Sequence, residues 1–311
     1  MDVVRVALAQ IAPALGQLDA NVARHLEILA DARERRADLV VFPELGLTGY
    51  LLQDLAGEVA MRLDDKRLAD LAAATNGLSA VISFVEESTD HRLFISAGLF
   101  EDGQLCHVHR KLFLPTYGLF DERRFFAAGD TLRAVPSRLG AGIGLAVCED
   151  FWHLAVPQLL ALDGAQILIN VSSSPGRDLA AIHEVGLGTA TSWRTLMRTY
   201  AQLTTSFVVF CNRVGVEESI SFWGGSEVIG PTGEVLFSAP LYDEGLFTVD
   251  IALADIRRER IALPLLRDER PELQARELGR IVAERAGMAP DSTDGATALT
   301  AGTAGTAMTE P

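Results

Sequence analysis

The amino-acid sequence predicts an α/β fold built on mixed rather than purely parallel β-structure. Short apolar runs that read as strands alternate along the chain with stretches of helical periodicity. Some neighbouring strand runs are joined by tight turns, which antiparallel pairs use and parallel pairs do not. No glycine pattern of the GxGxxG or GxxxxGK[ST] type falls at a strand–helix junction, so neither a dinucleotide fingerprint nor a P-loop organises the fold.

The elements follow in chain order. "VRVALAQIAP" alternates and reads as a strand. Residues 19–37 place Val22, Leu26, Leu29 and Ala30 at helical spacing, with Arg and Glu on the other face. "LVVFPE" (39–44) is a continuous apolar strand stopping at Pro43-Glu44, Leu68 to Ala74 is helical, and "AVISFVEE" (80–87) is a strand. Residues 92–111 form a hairpin, since Asp102-Gly103 is a strong type I′ turn signal. The second half repeats the theme. "GIGLAVCED" (142–150), "QILINVSSS" (166–174) and "SFVVFCNRV" (206–214) are strands separated by helical stretches near 153–163 and 178–203. Residues 224–240 form a second hairpin turning at Pro231-Thr232-Gly233, and "GLFTVDI" (245–251) closes the strand set. Pro271 opens a helix with Leu273, Leu278, Ile281 and Val282 on its apolar side and Gly287 past its end. The Ala/Thr/Gly-rich residues 288–311 lack periodicity and read as a flexible tail after a single domain over 1–287.

Composition narrows the function. With 49% hydrophobic residues among 311, the chain can bury a large core. A formal charge of −15 disfavours nucleic acid and anionic membranes as partners, since both require clustered Lys and Arg. No basic segment followed by an apolar stretch opens the sequence, and no apolar run approaches a membrane span. The three cysteines, Cys106, Cys148 and Cys211, show no CxxC and no zinc spacing with histidine. Free thiols in a reducing, cytoplasmic setting and no metal are expected.

Three strands end in polar residues that an apolar strand does not need: Glu44, then Cys148-Glu149-Asp150, then Asn170 with Ser172 to Ser174. Ligands in α/β folds bind at the carboxyl ends of strands. Taken singly each residue has a plainer reading: Cys148 as packing, Glu44 as a turn carboxylate, Lys111 as a solvated hairpin end. As a set they can perform acyl transfer. A thiol of pKa about 8.5 is only a few per cent ionised at neutral pH, so Glu44 would activate Cys148 as base and later return the proton to a departing amine. Lys111 would stabilise the oxyanion, helped by the backbone N–H after Cys148. Histidine is not required, so His107, His109, His153 and His183 receive no catalytic role and His153 is read as structural.

The segments "VVFPELGLTGY", "HRKLFLPTYGLFDERRFFAAGD", "GLAVCEDFW" and "NVSSSPGR", in this order, resemble the motifs of the nitrilase (carbon–nitrogen hydrolase) superfamily, with agreement from residue 3 to about 250. The resemblance implies a four-layer αββα sandwich with two mixed β-sheets and a Glu-Lys-Cys triad at Glu44, Lys111 and Cys148. Within the family the chain is most similar to the glutamine amidase domain of glutamine-dependent NAD synthetases, through "LPTYGxFDExRxF" after the lysine and "CEDxW" around the cysteine. There a second glutamate helps position the lysine, and Glu122 matches it; a carboxylate beside Lys111 also keeps the ammonium charged and aimed. The plainer reading of Glu122 is a surface salt bridge to Arg123 or Arg124.

Tyr117, Phe120, Glu149, Trp152 and Ser174 match positions lining the glutamine pocket, with Glu149 suited to an α-ammonium and Ser174 to a carboxylate. Arg177 is a candidate cation, although "SSSPGRDLAAIHE" departs from the family's spacing. No SGGxDS-type pyrophosphatase loop is present in these residues. The expectation is thus a stand-alone thiol amidohydrolase for a small, glutamine-like amide, needing no cofactor. The alternatives are an ammonia-supplying subunit of a separate synthetase, nitrile hydrolysis, which the Glu149-Asp150 pair after the cysteine disfavours, and a non-catalytic binding protein. The family also implies a homodimer, with the 271–286 helix reaching toward a partner.

Overall fold

The structure is a computed structural model that describes residues 2–176 and 188–287; Arg177, His183, the first part of the 178–203 stretch and the 288–311 tail lie outside the described residues. The first half contains β1 (Val3–Gln10), α1 (Leu18–Glu34), β2 (Leu39–Val41), α2 (Lys66–Ala73), β3 (Ser79–Glu87), β4 (Leu93–Glu101) and β5 (Gln104–Arg110). The second contains β6 (Ala134–Pro136), β7 (Gly142–Val147), α3 (Ala155–Leu162), β8 (Ile167–Ser172), α4 (Gly188–Thr204) and β9 (Phe207–Asn212). It continues through β10 (Val214–Glu217), β11 (Ile220–Trp223), β12 (Glu227–Ile229), β13 (Val235–Ser238), β14 (Gly245–Ala252) and α5 (Ala254–Ala262). A short α6 (Leu265–Asp268) and α7 (Pro271–Arg285) follow.

Two six-stranded sheets result, ordered β14-β1-β2-β3-β4-β5 and β13-β12-β9-β8-β7-β6, with β10-β11 as a separate pair. Each sheet is mixed. In the first, β1, β2 and β3 run parallel while β14, β4 and β5 pair antiparallel. In the second, β7, β8 and β9 run parallel, flanked by antiparallel β6 and β12. Parallel strands need crossover helices, and those helices cover the outer faces. One buried cluster joins Ala7, Val40, Ile82 and Phe84 to Val22, Leu29, Leu68 and Leu71 of α1 and α2. The other unites Val6, Leu8 and Val41 of the first sheet with Leu145, Ile169 and Val209 of the second, and also takes in Leu160, Trp193 and Met197 of α3 and α4. Helix, sheet, sheet, helix: this is the four-layer αββα sandwich.

The Asp102-Gly103 turn has the left-handed φ values, +46° and +82°, that a type I′ hairpin requires. Several strand boundaries differ from the sequence expectation: β7 ends at Val147 instead of Asp150, because a 3-10 turn begins at Cys148, and β8 ends at Ser172 instead of Ser174. β2 ends at Val41, not at Glu44, because Pro43 has no N–H for the ladder. The run expected as one strand over 206–214 breaks after Asn212, and Val214 starts β10 instead. The chain divides into two compact units, one ending at Arg267 and a second that begins at Asp268 and contains α7. Within the described residues, no helix is long and apolar enough to cross a membrane.

Candidate active site

Glu44 sits three residues beyond β2 and is fully buried. Its Oε2 accepts from the backbone N–H of Ser173 (2.8 Å), and its carbonyl accepts from the Ser173 hydroxyl (2.8 Å). The first sheet thereby presents its carboxylate at the end of β8 in the second. Lys111 follows β5, its backbone N–H held by the Ile95 carbonyl at 2.8 Å. The Lys111 Nζ donates to Glu44 Oε1 and to Glu122 Oε1, both at 2.7 Å. Glu122 opens a short 3-10 turn, Glu122–Arg124, and is buried rather than paired with Arg123 or Arg124 on the surface.

Cys148 begins another 3-10 turn, Cys148–Trp152, directly after β7, and its φ is +43°. A non-glycine residue in the left-handed region costs roughly 1–2 kcal/mol. The turn swings the thiol off the end of the strand, where the Ser172 hydroxyl donates to Sγ at 3.2 Å.

Burial and the neighbouring charges set the electrostatics. Burial alone would lower the pKa of Lys111, but Glu122 and Glu44 outweigh it and hold the ammonium well above the ordinary lysine value. Burial, then the charge of Glu44, pushes the Cys148 thiol well up, against the opposing pull of Lys111. Cys148 therefore rests as a thiol, and a nucleophilic role for it would require a base to take its proton. Burial also raises Glu122 to about 7, with Lys111 pulling it down and Glu44 pushing it up.

Cys148 lines a cavity of about 400 Å³ together with Tyr117, Phe120, Glu149, Trp152 and Ser174. Of the sequence-derived site residues that the structure describes, these six line one cavity, while Glu44, Lys111 and Glu122 form one buried linkage whose charges act on Cys148; Arg177 falls outside the described residues. The Tyr117 hydroxyl donates to the half-buried Glu149 carboxylate at 2.9–3.0 Å, and burial raises the Glu149 pKa. Ser174, on the cavity wall, accepts at Oγ from the indole N–H of Trp193 (2.8 Å) and of Trp223 (3.4 Å). The described residues contain no group of three or more His, Cys, Asp or Glu side chains that could hold a metal ion.

Several supporting residues escaped the sequence reading. Tyr50 donates its hydroxyl to Glu122 Oε1 at 2.6 Å. Its own N–H, with that of Leu51, is held by Glu217, which is buried in an ion pair with Arg213. Tyr50 lies inside the quoted "VVFPELGLTGY", so the signal was present but carried no role. Asp150 and His109 form a buried pair at 2.8 Å, a role for histidine that no motif announced. His153 stacks on Phe113 with centroids 3.4 Å apart, in keeping with a packing role.

Comparison with known proteins places the chain in a family. A model of the family described as carbon-nitrogen hydrolase matches residues 5–260. A glutamine-dependent NAD(+) synthetase from Thermotoga maritima is 34% identical over 264 residues, covering 84% of this chain and 44% of that protein. The solved structure of the corresponding enzyme from Acinetobacter baumannii, in complex with ADP, is 30% identical with a TM-score of 0.72, over 82% of this chain and 46% of that one. The chain thus spans less than half the length of these synthetases. A mutant amidase from Nesterenkonia sp. AN1 is 25% identical with a TM-score of 0.72, over 88% of this chain and 95% of that one. In that structure the acetamide moiety of fluoroacetamide is added covalently at the active-site cysteine. With the family model spanning most of the sandwich, the chain belongs to the carbon-nitrogen hydrolase family, in the nitrilase superfamily, and is a hydrolase of C–N bonds.

Proposed function

We propose that the chain is a thiol amidohydrolase that cleaves a small, glutamine-like amide through a thioester on Cys148. The observation that carries the reading is the buried Glu44–Lys111–Glu122 linkage beside a thiol that opens onto a cavity. Glu44 takes the Sγ proton as sulfur bonds to the amide carbon. The oxyanion that forms is met by Lys111. The C–N bond then breaks as Glu44 returns the proton to the leaving nitrogen, releasing ammonia. Water, deprotonated by Glu44, attacks the thioester, and the carbon–sulfur bond breaks to give the carboxylic acid and the free thiol. The addition of an acetamide group to the cysteine of the Nesterenkonia relative supports a small amide as the ligand. Glu149 and Ser174, both on the cavity wall, supply an anion for an α-ammonium and a donor for an α-carboxylate.

Ammonia release from glutamine, asparagine and simple aliphatic amides tests the proposal. Cys148→Ala is expected to lower turnover by at least ~10⁴-fold with the fold intact, as loss of a nucleophile does. Turnover retained in that variant overturns the assignment.

A second reading, an ammonia-supplying subunit of a separate synthetase, is favoured by the synthetase relatives. It predicts ammonia release that rises when the synthetase is added, whereas a free-standing amidohydrolase gives the same rate alone. The homodimer expected of the family finds support in the exposed Leu278 and Val282 of α7, and solution mass tests it.

A further inference from the structure

Among the buried ionisable groups that this scheme leaves unused, Asp150 stands out for where its partners lie. Its carboxylate is fully buried and accepts four hydrogen bonds. Oδ1 takes the backbone N–H groups of Leu112 (3.0 Å) and Phe113 (3.1 Å). Oδ2 takes the backbone N–H of Val147 (2.9 Å) and faces His109 Nε2 at 2.8 Å. Leu112 directly follows Lys111, His109 lies two residues before it, and Val147 directly precedes Cys148. One carboxylate thus brackets the lysine and the nucleophile, which come from different sheets.

We propose that Asp150, backed by His109, is the positioning residue that fixes the spacing between Cys148 and Lys111. The proposal rests on the roles of Cys148 and Lys111 given above. Three of the four donors are main-chain N–H groups, so the carboxylate holds backbone rather than rotatable side chains. Cys148 also needs an anchor on either side, because its left-handed φ gives the turn an incentive to relax. The hydrogen bonds of Asp150 to Val147 and of Asp150 to the Lys111 segment resist that relaxation. An asparagine of the same shape keeps one acceptor oxygen and turns an NH₂ group toward N–H donors, so at most half of the clamp survives. A shift of about 1 Å in reacting groups can cost a hundredfold in rate.

The test separates positioning from general stability by counting active sites. Iodoacetamide labels the thiol, Cys148 is located by peptide mass mapping, and kcat for glutamine is expressed per Cys148 titrated. Asp150→Asn is expected to lower both the alkylation rate constant of Cys148 and kcat per titrated thiol about 100-fold, with KM within threefold. A protein merely less stable would lose titratable sites and keep kcat per site. His109→Gln retains an N–H donor toward Asp150 and is expected to stay within about threefold of the parent, while His109→Ala falls about tenfold.

The proposal is overturned if Asp150→Asn stays within threefold of the parent per titrated thiol, or if its whole loss sits in KM. Should Asp150→Asn fail to fold, the His109 pair decides: equal rates for the Gln and Ala variants reject the clamp. Should glutamine not be turned over, the alkylation rates decide in the same way. Turnover surviving in Cys148→Ala would instead reject the underlying mechanism, which makes the two failures distinguishable.

Discussion

Glu122 carries its two carboxylate oxygens in unequal settings. Oε1 accepts from Lys111 and Tyr50, whereas Oε2 is buried with no hydrogen-bond partner among the described residues. Burial raises this group to about 7 from 4.5, over the pull of Lys111. Between those values the folded protein holds a proton that the unfolded chain has released. Stability therefore falls as pH rises from about 4.5 to about 7 and is flat, for this group, on either side. The full effect is on the order of 3–4 kcal/mol, from about 1.4 kcal/mol per pKa unit. Glu122→Gln should remove that slope, which urea midpoints at pH 5 and pH 7.5 would reveal. Tyr50→Phe deletes a donor that favours the ionised form, so it should move the acid limb of the activity profile upward. At this scale the sequence supplied the charged residues, because Glu44, Lys111, Glu122 and Cys148 sit in recognisable segments. It did not supply Tyr50. An aromatic closing an apolar segment reads as packing, and its bond to a residue 72 positions away leaves no local trace.

Elements place these residues through close backbone approaches. β7, which ends at Val147 just before Cys148, starts at Gly142, where a Cβ would collide with the carbonyl oxygen of Gly164. Gly142→Ala must push β7 from the loop between α3 and β8. We expect a loss of about 1–3 kcal/mol, seen as a lower thermal midpoint, together with reduced kcat as the strand that leads into Cys148 shifts. The strands legible in the sequence were those with long apolar runs or a strong turn pair such as Asp102-Gly103. β6 was missed because its three residues end in Pro136 and have no period of their own; its place is set by pairing with β7. The break between β9 and β10 was missed for a related reason. Arg213 interrupts an apolar run but is itself buried, paired with Glu217 and lying over the Phe222 ring at 4.2 Å.

For the whole molecule, the three cysteines mark three depths. Cys106 is exposed, Cys148 meets the cavity, and Cys211 lies between the sheets, its thiol directed at the Val41 carbonyl (3.1 Å). Burial pushes the Cys211 thiol far up, so it is both shielded and protonated. Under native conditions it should stay unlabelled by a thiol electrophile and react only across the urea unfolding transition, as mass mapping would show. Which faces pack together was legible only through the family resemblance. Periodicity marks apolar strands but does not say which sheet each joins, and strands buried on both faces lose their alternation. The seam recorded by Cys211 has a wider meaning. Glu44 and Lys111 hang from one sheet and Cys148 from the other, with Ser173 tying Glu44 across. On the proposed mechanism neither half of the sandwich owns the reaction centre, so a chimera that joins halves from two relatives would inherit chemistry only if the joint between them were also matched.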